Sequence, residues 1–477
     1  MSDEPSCSND LDPQLPRCAW LLACSVSRKD ASPQSSASAR RIPGRILSGN
    51  GVHRFRNHCS NSPEYALSSS ELNRIGKFTG FCQRLRDIQP ARLLPALLSG
   101  LGCDKVDGIA GLHRHFNALQ LHDTDQIAYK PFHNQLRKQG FPLFMRALVE
   151  RAIALRLKEC LPDAHGLAGF EQVLLQDGSS FALHPQLAEH FPGRFNKHSP
   201  AAVECHMTMS LLDQSPISMS ITADTESERK HLPAANSLNN KLLLADAGYI
   251  SREYFADVTK AKGSYLVRGS QNLNPKVQAA YRQDGREMPK LLGKKLKDID
   301  RRSCRAEVLD LDVSSGKYKY RLIRRWFAEE KRFCIWMTNL PRERWPAEKV
   351  MALYRCRWQI ELLFKELKSH NRLKAFATRQ KAIAEGLIWA SLLALLVKRR
   401  LALTLIGSAE LSMLKIAKNS ALWLMPILAS IIHGAWQEIT EKLEWAMVYL
   451  SKNGKKSRQR KSKQNNTLDG IINSLAA

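Results

Sequence analysis

The chain has 477 residues, enough for two to four domains with ample core. Its 72 lysines and arginines exceed its 45 acids, giving a net charge of +27 and a pI near 9.8, which points to a polyanionic partner, nucleic acid before an anionic membrane. The longest apolar run, residues 386–397, is too short to span a bilayer, the acidic, polar start has no secretory character, and the 11 cysteines form no CxxC pair, so a cytoplasmic protein with reduced thiols is expected, without a zinc site or disulfide framework.

Residues 1–66 are rich in Ser, Pro, Arg and Cys and carry no period, so a disordered extension is expected there. After Met1 the next methionine is Met145, which leaves the true start codon open. Residues 67–165 read as a helical domain. Ser70 caps a helix over 71–88, Pro90 opens a second that stops at Gly100 and Gly102, and 111–121, 130–138 and 141–161 follow. A small basic helical unit is a candidate DNA-end reader; a plain helical cap on the core is the equal alternative. From 166 to 270 the period changes. Strands are expected at 173–175, 205–212, 217–222, 241–246 and 264–267, with a helix over 226–238 interrupted by Pro233 and another over 251–262. Residues 271–345 hold 19 basic and 10 acidic side chains and alternate at 305–313, 318–326 and 332–339. They read as a mostly β insertion, basic on one face. Residues 346–400 and 401–450 are helical, with buried stretches at 384–397 and 422–432, the second kinked at Pro426. A basic tail is expected over 451–477, with seven cations and no acid between Lys452 and Lys463.

The stretch Met351–His370 contains no Pro or Gly and reads as one helix. At about 100° per residue, with Tyr354 at zero, Arg357, Glu361 and Lys368 fall within roughly 60° of it, along the edge of an apolar face. Such a stripe can hold a carboxylate toward a metal and set a phenol and two cations beside a phosphate. Alone it is as readily a solvated face with one i,i+4 pair, Arg357 with Glu361. Asp177 and Asp246 each end an apolar run, and each alone reads more readily as a turn former. Together with Glu361 they make three hard oxygen donors, the kind that grips two divalent ions for phosphodiester cleavage.

The spacing Tyr354-x2-Arg357-x3-Glu361-x6-Lys368, with Leu175-Gln-Asp177-Gly-Ser-Ser180, Ala245-Asp246-Ala-Gly248-Tyr249 and Thr338-Asn-Leu-Pro341, resembles the DDE transposases of bacterial insertion sequences. The resemblance is to the group with the Y-R-E-K signature, the insertion-sequence-four family, and covers about residues 70–400. It implies an α/β fold: an RNase H-like catalytic core interrupted by the β insertion, with the N-terminal helical domain and C-terminal helices attached. It implies Mg²⁺-dependent cleavage at transposon ends and strand transfer into target DNA, with two ions that Mn²⁺ can replace, carried out by a homodimer on paired ends in the nucleoid. By position, Asp177, Asp246 and Glu361 would be catalytic metal ligands, and Tyr354, Arg357 and Lys368 would touch DNA phosphates. Some relatives hold a flipped base on an aromatic of the insertion; Trp326, Phe333 and Trp336 are the candidates, each also plain sheet core. Ala247 stands where relatives often carry Arg, which puts one phosphate or acid contact in question. The alternatives are an inactive or domesticated DNA-binding relative, an RNase H-fold nuclease that cuts without joining, and a basic scaffold that leaves the three acids unexplained. The terminal repeats, the target sequence and the use of a hairpin are not written in this chain.

Overall fold

A computed structural model describes residues 69–103, 106–120, 126–159, 167–195, 197–212, 214–299, 307–371, 377–406, 411–433, 435–456 and 471. The extension 1–66 and residues 457–470 of the tail lie outside them.

The chain opens with five helices: α1 Ser69–Phe78, α2 Pro90–Gly102, α3 Ile109–Ala118, α4 Tyr129–Leu136 and α5 Gly140–Glu159. The first is shorter than the sequence predicts. After Phe78 the chain turns through Gly80, whose φ of 72° suits a residue without Cβ, and Cys82 returns its N–H to Gly76. Pro90 supplies the fixed φ that opens α2, which is buried on every side from Leu93 to Gly102.

A ten-stranded sheet follows: β1 Gln172–Ala182, β2 Pro192–Phe195, β3 Ser199–Ser210, β4 Ser215–Ala223, β5 Lys241–Ala245, β6 Ser264–Arg268, β7 Lys276–Arg282, β8 Val308–Ser315, β9 Tyr318–Phe327 and β10 Arg332–Thr338. The spatial order is β2-β3-β1-β5-β6-β10-β9-β8-β7, with β4 also on β3. Strands β1, β3 and β4 pair antiparallel, β1, β5 and β6 pair parallel, and β10 returns antiparallel onto β6. Helix α6, Arg252–Lys260, links β5 to β6 as a parallel crossover requires. This is a mixed α/β architecture, and the strands of 276–338 continue the same sheet. The helix expected over 226–238 is replaced by two short 3₁₀ turns, Glu228–His231 and Ala235–Leu238, because Pro233 cannot continue an α-helix.

The expected single helix over Met351–His370 is two: α7 Ala347–Arg355 and α8 Trp358–His370. The amides of Cys356, Arg357, Gln359 and Ile360 each bond three residues back, so the chain tightens to a 3₁₀ turn at the junction. Helices α9 Lys381–Ile406, α10 Met413–Lys418, α11 Ser420–Ile432 and α12 Trp436–Asn453 follow. Lys452, assigned by sequence to a disordered tail, lies in α12, and Lys455 bridges to Leu411.

The described residues form two compact units, one from 69–155 with 366–456, the other from 156–365. The first is helical and is made of two chain segments far apart in sequence. Its core holds an ionic group: Glu366 pairs with Arg399 at 2.7 Å and Lys398 at 3.8 Å, and Lys398 donates to Asn371 at 2.7 Å. The second contains the sheet. Its buried layer includes Leu243, Ala245, Tyr249, Phe255, Tyr265 and Val267, and runs on through Leu309, Leu311 and Leu322 to the far strands. No helix among the described residues is long and apolar enough to cross a membrane.

Candidate active site

Strands β1 and β5 place the first two acids. Their parallel pairing runs from Gln172 with Lys241 to Gln176 with Ala245 and stops. Asp177 and Asp246 are therefore the next pair of positions, side by side where the two strands part. Sequence reasoning ended β1 at Asp177. The strand instead continues to Ala182 on its antiparallel partner β3, and only the parallel neighbour ends. Asp246 caps the short turn Ala247–Tyr249, its carbonyl accepting the Tyr249 N–H at 3.2 Å.

The break between α7 and α8 sets Arg357 among the acids. Its guanidinium donates to Asp177 Oδ2 at 3.1 Å and, through the other terminal nitrogen, to Glu361 Oε1. The Tyr354 hydroxyl lies 3.4 Å from both Asp246 Oδ1 and the Ala245 carbonyl. Five of the six singled-out residues, Asp177, Asp246, Tyr354, Arg357 and Glu361, thus meet in one unit. Lys368 stands in the last turn of α8, in the other unit.

Burial pushes the Asp177 carboxyl up to about 6; Arg357 and the Gly178 amide oppose this, and Asp246 and Glu361 add to it. Burial also raises the Tyr354 phenol, which stays protonated and able to donate. Trp336, one of the aromatic candidates, is sheet core, 5% exposed and edge-on to Tyr354. Trp326 and Phe333 are half-buried against each other, with Arg324 over the Phe333 ring at 3.5 Å. The 271–345 segment is less of a basic surface than its composition suggests. Arg321 and Arg324 are buried, the first on Asp310 at 2.6 Å, while Lys290, Lys294, Lys295 and Lys297 remain exposed.

Among the described residues, no group of three or more acidic, His or Cys side chains is arranged to hold a metal ion as placed. What joins Asp177 to Glu361 is the Arg357 cation. The donor set nonetheless fits a hard divalent ion. Asp246 and Glu361 both act on the Asp177 carboxyl, which burial, before these two acids, holds above its ordinary range, and carboxylate oxygens are the donors such an ion takes.

Sequence reasoning missed a second charged group beside these acids. Arg194 on β2 donates to Glu204 at 2.7 Å and to Glu228 at 3.4 Å, and its backbone amide donates to Asp224 at 2.9 Å. Glu204 is 3% exposed, and burial raises its carboxyl to about 7 against the pull of Arg194. The available signal was a lone acid in the otherwise apolar and neutral run of β3.

Residues 168–397 match the transposase DDE domain family. This segment is similar to a transposase DDE domain. The DDE family depends in general on a divalent metal. The putative transposase InsL of insertion element IS186A from Escherichia coli K12 is 38% identical over 82 residues, which are 17% of this chain and 22% of that protein. The transposase of IS1151 from Clostridium perfringens is 24% identical over 238 residues, 42% of this chain and 50% of that protein. The chain thus spans half or less of the length of these relatives. A piggyBac transposase chain, solved in a synaptic complex with hairpin DNA, aligns at a TM-score of 0.42 and 12% identity, over 82% of this chain and 84% of that one.

Proposed function

We propose that this protein is an insertion-sequence transposase of the Y-R-E-K group, which cuts DNA at the ends of its element and transfers them into target DNA. The observation that carries the reading is the meeting of Asp177, Asp246 and Glu361 around Arg357, beside Tyr354. The strand order β4-β3-β1-β5-β6, antiparallel on one side of β1 and parallel on the other, supports an RNase H-like core. Strands β7 to β10 are then the insertion.

Asp177, Asp246 and Glu361 would hold two divalent ions, Mg²⁺ or Mn²⁺. When bound, these supply charge neutralisation on the scissile phosphate and a more acidic water. The rest falls to the chain's own side chains. Arg357, paired to acids in the metal-free protein, offers bidentate donors to a phosphate once those acids turn to metal. Tyr354, kept protonated by burial, donates rather than accepts. Lys368 adds a point charge for the DNA backbone. The working form is a homodimer on paired ends, in the nucleoid.

One observation favours a second reading, a relative that binds DNA without cutting it: Arg357 occupies two of the three acids. One assay separates the two. The protein is incubated with DNA carrying the element's terminal inverted repeats and Mg²⁺. Nicking followed by joining supports the transposase, nicking alone a nuclease, and binding alone the silent relative. Asp177→Ala, Asp246→Ala and Glu361→Ala should each abolish nicking and leave end binding within a few-fold. A variant that still cuts at the wild-type rate removes that residue from the site.

A further inference from the structure

The glycines after the two strand acids have no room for a side chain, and the same kind of group fills the space at both. A Cβ on Gly178, next to Asp177, would overlap Glu204 Oε1; a Cβ on Gly248, two after Asp246, would overlap Glu228 Oε2. Both carboxylates belong to the one cluster that Arg194 ties together, with Nη2 2.7 Å from Glu204 Oε2 and Nη1 3.4 Å from Glu228 Oε1. Arg194 is itself fixed at its backbone, where its N–H donates to Asp224 Oδ2 and its Nε to the Asp224 carbonyl. Asp177 acts electrostatically on Glu204, and Asp177, Glu228 and Glu204 all act on Tyr249, the residue after Gly248. Two additional acids therefore press on the backbone that carries two of the proposed metal ligands.

Such acids are a hazard in a metal site. A hard divalent ion does not distinguish one carboxylate from another by chemistry, only by position and by what already holds it. We propose that Arg194 is a positioning residue of the DDE site. It pairs with Glu204 and Glu228 and holds them against Gly178 and Gly248, so that Asp177 and Asp246 keep their places and the ion is not drawn to the wrong carboxylates. This rests on the transposase reading. Arg194 acts through these neighbours and touches no reacting atom.

The test measures Mn²⁺ bound to the metal-free full-length protein, by loss of the free-ion electron paramagnetic resonance signal, alongside nicking of end DNA. Arg194→Ala should bind Mn²⁺ in extra equivalents or severalfold more tightly, and nick about 10- to 100-fold more slowly, the size of effect expected when a partner of a metal ligand is lost. Adding Glu204→Gln and Glu228→Gln to Arg194→Ala should return both readouts toward wild type. A purely structural role would not give that rescue. Arg194→Lys keeps the charge without the fork and should fall between, which guards against a misfolded alanine variant. Arg194→Ala behaving as wild type, or a triple variant no better than Arg194→Ala, would overturn the proposal. If the wild type neither binds Mn²⁺ nor nicks while Asp177→Asn behaves identically, the transposase reading fails, and the clamp with it.

Discussion

Asp177 shows most directly what one residue's surroundings do. Its carboxyl is raised from 3.8 to about 6, first by burial and then by Asp246 and Glu361, with Arg357 only partly compensating. The folded, metal-free protein therefore holds this proton more tightly than the unfolded chain does. Folding gains from that protonation fully below pH 3.8, and the gain is gone once pH passes about 6. At about 1.4 kcal/mol per unit, the ceiling is about 3 kcal/mol. Asp177→Asn, neutral throughout, should thus stabilise the metal-free protein increasingly as pH rises from 4 to 7, by about 1–3 kcal/mol at the top of that range. Thermal unfolding of both proteins across this range checks it; a difference that stays flat with pH removes the buried-charge account. Mg²⁺ at pH 7 should raise the wild-type midpoint and leave the variant's nearly unmoved, because only the wild type regains from the ion what burial cost it.

At the scale of the element, the decisive features are endings. Parallel pairing stops at Gln176 and Ala245 and so sets two acids side by side. The break at Cys356–Arg357 gives a buried arginine access to both Asp177 and Glu361. The first depends on Gly178, since a methyl there would overlap Glu204 Oε1 and require the buried, Arg194-paired carboxylate to shift. Gly178→Ala should cost about 1–3 kcal/mol, as overpacking does, and slow nicking at least tenfold; wild-type nicking by this variant would mean the strand tolerates the shift. In the helical unit, α8 and α9 are joined by Glu366, 1% exposed, between Lys398 and Arg399. Glu366→Gln leaves two buried cations short of their counter-charge and should lower stability by about 3–5 kcal/mol in urea unfolding. A loss under about 1 kcal/mol would show that Asn371 and the backbone suffice for Lys398.

For the whole molecule, the governing quantity is charge. A net +27 favours a polyanion at long range, and each phosphate neutralised releases counterions. End-DNA affinity should therefore fall steeply with salt, by about 10³ or more between 50 and 200 mM if six or more phosphates are met. Filter binding or fluorescence anisotropy across that range measures the slope; a nearly flat one would mean that the excess charge serves something other than DNA. Part of the excess is already spent inside the fold, as Arg321 on Asp310 and Arg399 on Glu366 show.

Composition and spacing alone determined the mixed α/β class, most of the strands and helices, and the six residues worth singling out, since hydrophobic period and motif spacing are local properties of a chain. Only tertiary structure decided what those residues face. The continuous stripe over Met351–His370 assumed an unbroken helix, and the junction at Arg357 exists because the chain tightens there beside Asp177. Lys398 and Arg399, just past the apolar run 386–397, are buried with it, because Glu366, 33 residues before Arg399, supplies the counter-charge. Arg194 itself carried no signal in sequence; only its partner Glu204, the lone acid of β3, did. Its meaning lies in three acids, Glu204, Asp224 and Glu228, which only the pairing of β2, β3 and β4 brings to it.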